Sequence, residues 1–439
     1  MDELYDVAVI GAGFAGATVA RELATRGRRV VVLEARDVVG GRTYTSRLSN
    51  GELIELGGTF VHWFQPHLWS EITRYGLTDD LINGAEPPEW ILSPHDDGMR
   101  WAPAEEQMER ESRLMEIFFD GSRSALPRPY QPGFGGEAER DADHTAISKR
   151  LDALNLAPGD RELLTAFFLT HLCGPLDEGS VLSELKMWAP AGHTYRGFMA
   201  AVFGYRLRHG TVSLLSAILS DGGAEVRLRN MVLGVKSASD RAVVMLDSGE
   251  AVTARAVVLA VPSGVWPDLD ITPVLSPGRI AAAREGIQVH YVSKGYMVVR
   301  GESRAVSVLP SQPHPISMMA TSHRTSDDEQ TMVFWGTEGL GDPADLARLE
   351  EAVQSCLPAA RVAEAKSRVY HRDDPFTRGG WGLIRNGQQT RLRPDVTLSM
   401  PEGRVFFATA DIATGWQGYI DGAIESGIRA ARQVRAYLT

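Results

Sequence analysis

Positions 6–10 read Asp-Val-Ala-Val-Ile, a short continuous apolar run of the kind used for a strand covered on both faces. It leads straight into Gly11-Ala12-Gly13-Phe14-Ala15-Gly16, after which Val19, Ala20 and Leu23 recur at helical spacing as far as Thr25. A second apolar run, 30–33, ends on Glu34. Strand, glycine turn, helix and strand arrive in the order of a β-α-β unit. The pattern returns later, with a helix predicted over 212–219, strands over 226–228 and 231–233, and a longer apolar run over 256–262. Near the C-terminus, 404–408 predicts a strand and 420–431 a helix. Between Thr73 and Tyr205 the alternation is lost and the pattern reads as mostly helical, with loops at Pro87-Pro88 and 127–136. Within that stretch, 104–119 reads as a solvated helix with one buried stripe. No internal repeat and no low-complexity segment interrupts this organisation.

A chain of 439 residues exceeds what one hydrophobic core usually serves, so two domains are expected. The formal charge of -11, without a block of like charges, argues against a nucleic-acid partner. Cys173 and Cys356 stand far apart in no CxxC or zinc spacing, and read as reduced, semi-buried small hydrophobes. His62 and His67 are five apart with no acidic companion, so no metal site is expected. No apolar run approaches the roughly 20 residues that cross a bilayer, and too little chain precedes the first strand for a leader peptide. The expectation is a protein without a membrane span, located in the cytoplasm.

The glycine turn carries the first chemistry. Gly11 permits a tight turn, Gly13 lets a pyrophosphate approach the backbone, and Gly16 lets helix and strand pack closely. The helix N-terminus offers free amides and a positive dipole to the anion, and Glu34, at the end of the second strand, can accept ribose hydroxyls. A lone GxGxxG is weak evidence; in this strand-turn-helix-strand context it predicts dinucleotide binding. Further on, Gly40-Gly41-Arg42-Thr43 brings backbone and a guanidinium fork toward phosphate oxygens. Ile54-Glu55-Leu56-Gly57-Gly58-Thr59 is a strand entering a Gly-Gly turn that can lie flat against a ring system.

Together GAGFAG, EAR, GGRT and ELGGT resemble the flavin-containing amine oxidase family, which includes monoamine, polyamine and 6-hydroxynicotine oxidases. The resemblance runs over nearly the whole chain, most strongly over 6–69 and 404–428. It implies an α/β fold in which a Rossmann-type FAD-binding domain (1–75, 206–272 and 376–439) carries an inserted α+β substrate domain (76–205 and 273–375), as in monoamine oxidase. By the same resemblance, FAD is contacted by Gly11, Gly13, Phe14, Ala15, Gly16, Glu34, Ala35, Arg36, Gly41, Arg42, Leu56, Gly57, Gly58 and Thr59. Val232 reaches the adenine through its main chain and Ala260 lies on the returning strand. Trp381, Ala410, Asp411, Gly418, Tyr419, Ile420 and Ala423 surround the flavin. Asp411 departs from the family's usual glutamate and is one methylene shorter. Gly379-Gly380-Trp381-Gly382 stands where animal monoamine oxidases have Gly-Gly-Cys-Tyr, so the FAD is expected to be non-covalent.

For catalysis the resemblance points to Tyr419 and Trp381 as two walls of an aromatic cage around the substrate nitrogen. It makes Lys294 the residue that holds a water against flavin N5 and promotes reoxidation by oxygen. Lys294 interrupts an apolar run in a chain with five lysines against forty arginines. His62 reads equally as a residue near the substrate nitrogen and as a satisfied core histidine. The implied reaction takes an amine and molecular oxygen to an imine and hydrogen peroxide. An L-amino-acid oxidase and a dehydrogenase or desaturase using a non-oxygen acceptor are the alternatives. The partners are a small-molecule amine and oxygen, and a homodimer is one assembly compatible with this reading.

Overall fold

The computed structural model describes residues 4–439. Two sheets organise them. The first has eight strands, and its centre is the β-α-β unit predicted above: β1 (Leu4–Ile10), α1 (Phe14–Ala24) and β2 (Val30–Leu33). Side chains alternate over 7–10, so that Val7 and Val9 enter one buried cluster with α1 and the last helix while Ala8 and Ile10 enter another on the opposite face. A strand buried on both faces needs apolar residues at every position, which is why this run shows no polar alternation.

β1 pairs in parallel with β2 and with the strand Ala251–Leu259; the latter pairs in parallel with Val405–Phe407. The sheet is thus closed by segments from both ends of the chain. The last helix, Ile420–Leu438, packs against α1 and reaches well beyond the predicted 431.

The second sheet has seven strands in the order Arg361–His371, Tyr291–Arg300, Glu329–Gly336, Ile316–Arg324, Val306–Val308, Trp90–His95 and Gly98–Pro103. Its last two strands correct the helical reading of the segment between Thr73 and Tyr205: they form a hairpin, paired from Trp90↔Pro103 to His95↔Gly98. Pro94 hides this strand in the sequence, because proline donates nothing to a ladder. The parallel partner Val306–Val308 stops at Leu92, so the missing donor at Pro94 leaves no rung empty on that side. The helix Pro158–Leu172 packs across this sheet. The helix Ala104–Phe118 buries Gln107, Glu111, Leu114, Met115 and Phe118, the single stripe expected of it. Glu111 is satisfied there by Gln107 at 3.0 Å and by the Tyr195 hydroxyl.

Candidate active site

A continuous cavity of about 430 Å³ runs between the two sheets. At one end its wall is the backbone of the opening segment. α1 starts at Phe14 with Gly13 as N-cap and no side chain capping its first amides, so those donors face the cavity. Gly16 lies behind the wall. A Cβ there would fall 2.0 Å from the Gly11 carbonyl oxygen, so only glycine lets α1 sit this close to β1. The Gly40–Gly41 loop folds onto the same turn through Gly40 N–H to Ala12 O at 3.0 Å. Glu34 is buried, accepting from Ala12 N at 2.9 Å and Arg36 N at 3.1 Å, and its carboxylate edges the cavity beside Ala35, Arg36 and Val232.

Arg42 lines the middle of the cavity. Its Nη1 donates to Asp411 at 2.6 Å and to Gly380 O at 2.8 Å. Asp411 is fully buried behind the wall, also accepting from Ser263 N at 2.8 Å and Ser263 Oγ at 3.0 Å. The carboxylate therefore anchors the guanidinium from behind, Nη2 donates to Thr409 Oγ1 at 3.2 Å, and the side chain so fixed lines the cavity. Leu56 is likewise buried outside the lining, whereas Gly11, Phe14, Ala15, Gly41, Gly57, Gly58, Thr59, Ala260, Ala410, Ile420 and Ala423 form part of it. These features fit a dinucleotide: uncapped helix amides, an anchored arginine, an acidic residue and glycines where a Cβ would intrude.

At the other end the wall is made of side chains. Gly418 has φ +82°, and a Cβ on it would fall 2.4 Å from Gly382 N and 3.3 Å from Trp381 Cβ. Glycine at this position brings the segment before the last helix against Trp381-Gly382, which sets Tyr419 and Trp381 on one cavity wall. The Trp381 indole donates to His171 O at 2.8 Å, and the Tyr419 hydroxyl meets Met187 Sδ at 3.0 Å. Burial, reinforced by Glu184, pushes the Tyr419 phenol well above its usual range. Phe60, Val202, Phe203, Val292, Trp335 and Leu383 supply apolar walls.

Lys294 comes from the strand Tyr291–Arg300 and is buried. Its ammonium donates to Gly57 O at 2.8 Å and to Thr59 Oγ1, with the rings of Phe60, Trp335 and Tyr296 at 5.4, 5.7 and 5.8 Å. Burial drives its pKa down, the field of Glu55 opposes the shift and that of Arg206 adds to it. His62 is buried but does not line the cavity. It packs among Trp63, Phe64 and Tyr205, with ring centroids at 3.9, 4.8 and 6.0 Å, and its Nδ1 accepts from Phe64 N at 3.1 Å. That is the environment of a satisfied core histidine.

Three side chains on this wall escape the sequence reading. Lys186, in the helix Val181–Trp188, is buried and donates to Gln417 Oε1 at 3.2 Å. It carries the same signal as Lys294, a lone lysine in an apolar run. Glu184 on that helix meets His171 Nδ1 at 3.1 Å; nothing in the sequence spacing joins those two. Among the described residues no group of three His, Cys, Asp or Glu could hold a metal ion, and no helix is long and apolar enough to cross a membrane.

Comparison with known proteins identifies a family and a shared fold. The family model for flavin-containing amine oxidoreductases matches residues 14–435. A pseudooxynicotine dehydrogenase from a Pseudomonas species is 34% identical over 99% of this chain and 87% of its own length. The (S)-6-hydroxynicotine oxidase of Paenarthrobacter nicotinovorans is 28% identical over 96% of this chain and 97% of its own. Among solved structures, a double mutant of putrescine oxidase superposes with a TM-score of 0.82 at 21% identity, covering 99% of this chain and 100% of that one.

Proposed function

The chain belongs to the flavin-containing amine oxidoreductase family, a flavoenzyme fold that binds FAD, and from that premise we propose that it oxidises a bulky, largely apolar amine held between Trp381 and Tyr419. The observation that carries this reading is the Gly382–Gly418 contact, which brings two aromatic residues distant in sequence to one end of the cavity, beside the apolar Phe60, Val202, Phe203, Val292, Trp335 and Leu383. FAD, when bound, supplies a hydride acceptor for the α-carbon of the amine. Trp381 and Tyr419 orient the nitrogen with their ring faces. Phe60, Val202, Phe203, Val292, Trp335 and Leu383 keep water from the reacting carbon. Lys294, fixed on the Gly57–Thr59 turn, supplies positive charge where oxygen would be reduced.

The α1 N-terminus, Arg42 and Glu34 would hold the phosphates and ribose without a covalent bond. Neither Cys173 nor Cys356 lines the cavity, and in the sequence Trp381 stands where the animal monoamine oxidases carry their cysteine. The dehydrogenase name of the 34% relative favours a second reading, in which the natural electron acceptor is not oxygen. One experiment addresses both points. The purified protein is screened with primary, secondary and cyclic amines, nicotine-type amines and amino acids, following peroxide in one arm and reduction of an artificial dye without oxygen in the other. Peroxide release with apolar amines supports the oxidase; dye reduction with negligible peroxide supports the dehydrogenase; activity with amino acids alone sinks the proposal. Acid precipitation is expected to release FAD to the supernatant, and flavin left in the pellet would refute the non-covalent site.

A further inference from the structure

An amine reaches the cavity mostly as an ammonium ion, and hydride cannot leave the α-carbon until the nitrogen lone pair is free. The proton therefore needs an acceptor within reach of the bound nitrogen. Lys294 is engaged with Gly57 and Thr59, and Lys186 with Gln417. His171 differs from both. It lines the cavity, its Nδ1 faces Glu184 Oε2 at 3.1 Å, and its Nε2 has no hydrogen-bond partner among the described residues and is not sealed off. Glu184 is buried, and its carboxylate faces the imidazole edge of His171. The rings of Phe167 and Phe198 pack edge-on against the imidazole at 5.0 and 5.7 Å, and the Trp381 indole is tied to the His171 carbonyl at 2.8 Å. The imidazole is thus held at a fixed angle next to a wall of the proposed cage.

We propose that His171 Nε2 accepts the proton of the bound substrate ammonium, with Glu184 as the positioning residue that keeps the proton on Nδ1 and the lone pair on Nε2. This rests on the amine-oxidation reading above. In the step, one N–H bond of the ammonium breaks, its electron pair stays on nitrogen, and the proton bonds to Nε2. The resulting imidazolium is stabilised by the Glu184 carboxylate, and no electrons are exchanged.

The other ionisable groups around His171 are Lys186 on the same helix as Glu184, Tyr419 in the field of Glu184, and Cys173 two residues along with Tyr291 in its field. Burial pushes Cys173, Tyr291 and Tyr419 upward, so they stay protonated through neutral pH. Burial pulls Lys186 downward, which makes it the competing assignment.

The test is anaerobic stopped-flow reduction of the flavin-loaded enzyme by nicotine and by benzylamine across pH. In the parent, both amines are expected to share one acid limb. In Glu184→Gln that limb is displaced, since Nδ1 then faces a neutral amide in place of a carboxylate; Glu184→Asp restores it. In His171→Gln the limb follows each amine's own ionisation, and reduction below neutrality slows about tenfold or more. A purely structural role would lower rates at all pH values without moving the limb, and would overturn the proposal. So would a limb that vanishes in Lys186→Met, or a parent limb that tracks each amine, a result that needs no variant to fold. Failure of the parent flavin to be reduced by any amine of the screen above overturns this assignment together with amine oxidation, whereas reduction without a shared limb overturns this assignment alone.

Discussion

The two ends of the cavity are built on different principles. The dinucleotide end is backbone: uncapped amides of α1, glycines packed against carbonyl oxygens, and one carboxylate at a strand end, all within a few dozen residues of the start of the chain. The end we assign to the amine is side chains drawn from far apart: Lys294 from a strand, His171 and Glu184 from two helices, Trp381 from a loop and Tyr419 from the cap of the last helix. A phosphate chain is the same in every dinucleotide and can be met by backbone, whereas an amine's shape differs from enzyme to enzyme and must be met by replaceable side chains. Substitutions at the first end should therefore remove cofactor or fold, and those at the second should change rates in a molecule that stays yellow.

The sharpest break between the ends is expected at the glycines. Gly16→Val puts side-chain atoms into the Gly11 carbonyl, where even a Cβ would lie at 2.0 Å, and should abolish soluble, flavin-loaded protein. Gly13→Ala, whose Cβ would lie 3.7 Å from Gly40 O, should fold yet lose flavin. Flavin content after gel filtration distinguishes them, and a yellow Gly16→Val protein would mean that α1 is not where we place it.

Next in size is Glu34→Ala. Losing two hydrogen bonds to a charged acceptor, at about 1.5 kcal/mol each, predicts FAD retention weaker on the order of a hundredfold in an otherwise folded protein. Equilibrium dialysis of the flavin measures it, and unchanged affinity would remove Glu34 from the cofactor site.

Lys294→Met should act at the other end. With the ammonium gone, flavin reoxidation by oxygen should slow by about tenfold or more, the factor equivalent to ~1.4 kcal/mol of lost charge stabilisation, while anaerobic reduction by amine suffers less. Equal oxidative rates in variant and parent would favour the non-oxygen acceptor.

The smallest effect is expected at His62, which belongs to neither end. Burial lowers its pKa from 6.5 to about 4. The unfolded chain therefore binds the extra proton first, and stability should fall as pH drops from about 6.5 toward 4, then level off. Thermal melting across that range should show a slope that His62→Leu flattens, with turnover little changed. A large loss of activity in His62→Leu would return the residue to the amine end.

The same contrast explains what could be read in advance. Val7 and Val9 against Ala8 and Ile10 report a doubly covered strand by composition alone, and GAGFAG follows it within the same stretch of chain. Pro94 concealed the hairpin, because its tolerance depends on where the neighbouring strand Val306–Val308 stops, a fact held by residues two hundred positions away. Lys186 was open to the reasoning that singled out Lys294. His171 and Glu184 were not, since each is unremarkable in its own helix and gains meaning only where the two helices pack together.

By itself the sequence determined the β-α-β unit, the anion-binding turn and the acidic strand end, because each rests on local periodicity or on backbone freedom that a few consecutive residues fix; the pair of aromatics to examine came from the family resemblance. The tertiary structure alone decided that His62 is buried outside the cavity, that Asp411 is buried behind it and bonded to Arg42, and that a glycine contact between 382 and 418 brings Trp381 and Tyr419 together on the cavity lining. Those outcomes depend on which side chains become neighbours once the apolar faces of two sheets are buried, and burial brings together residues that no spacing along the chain relates.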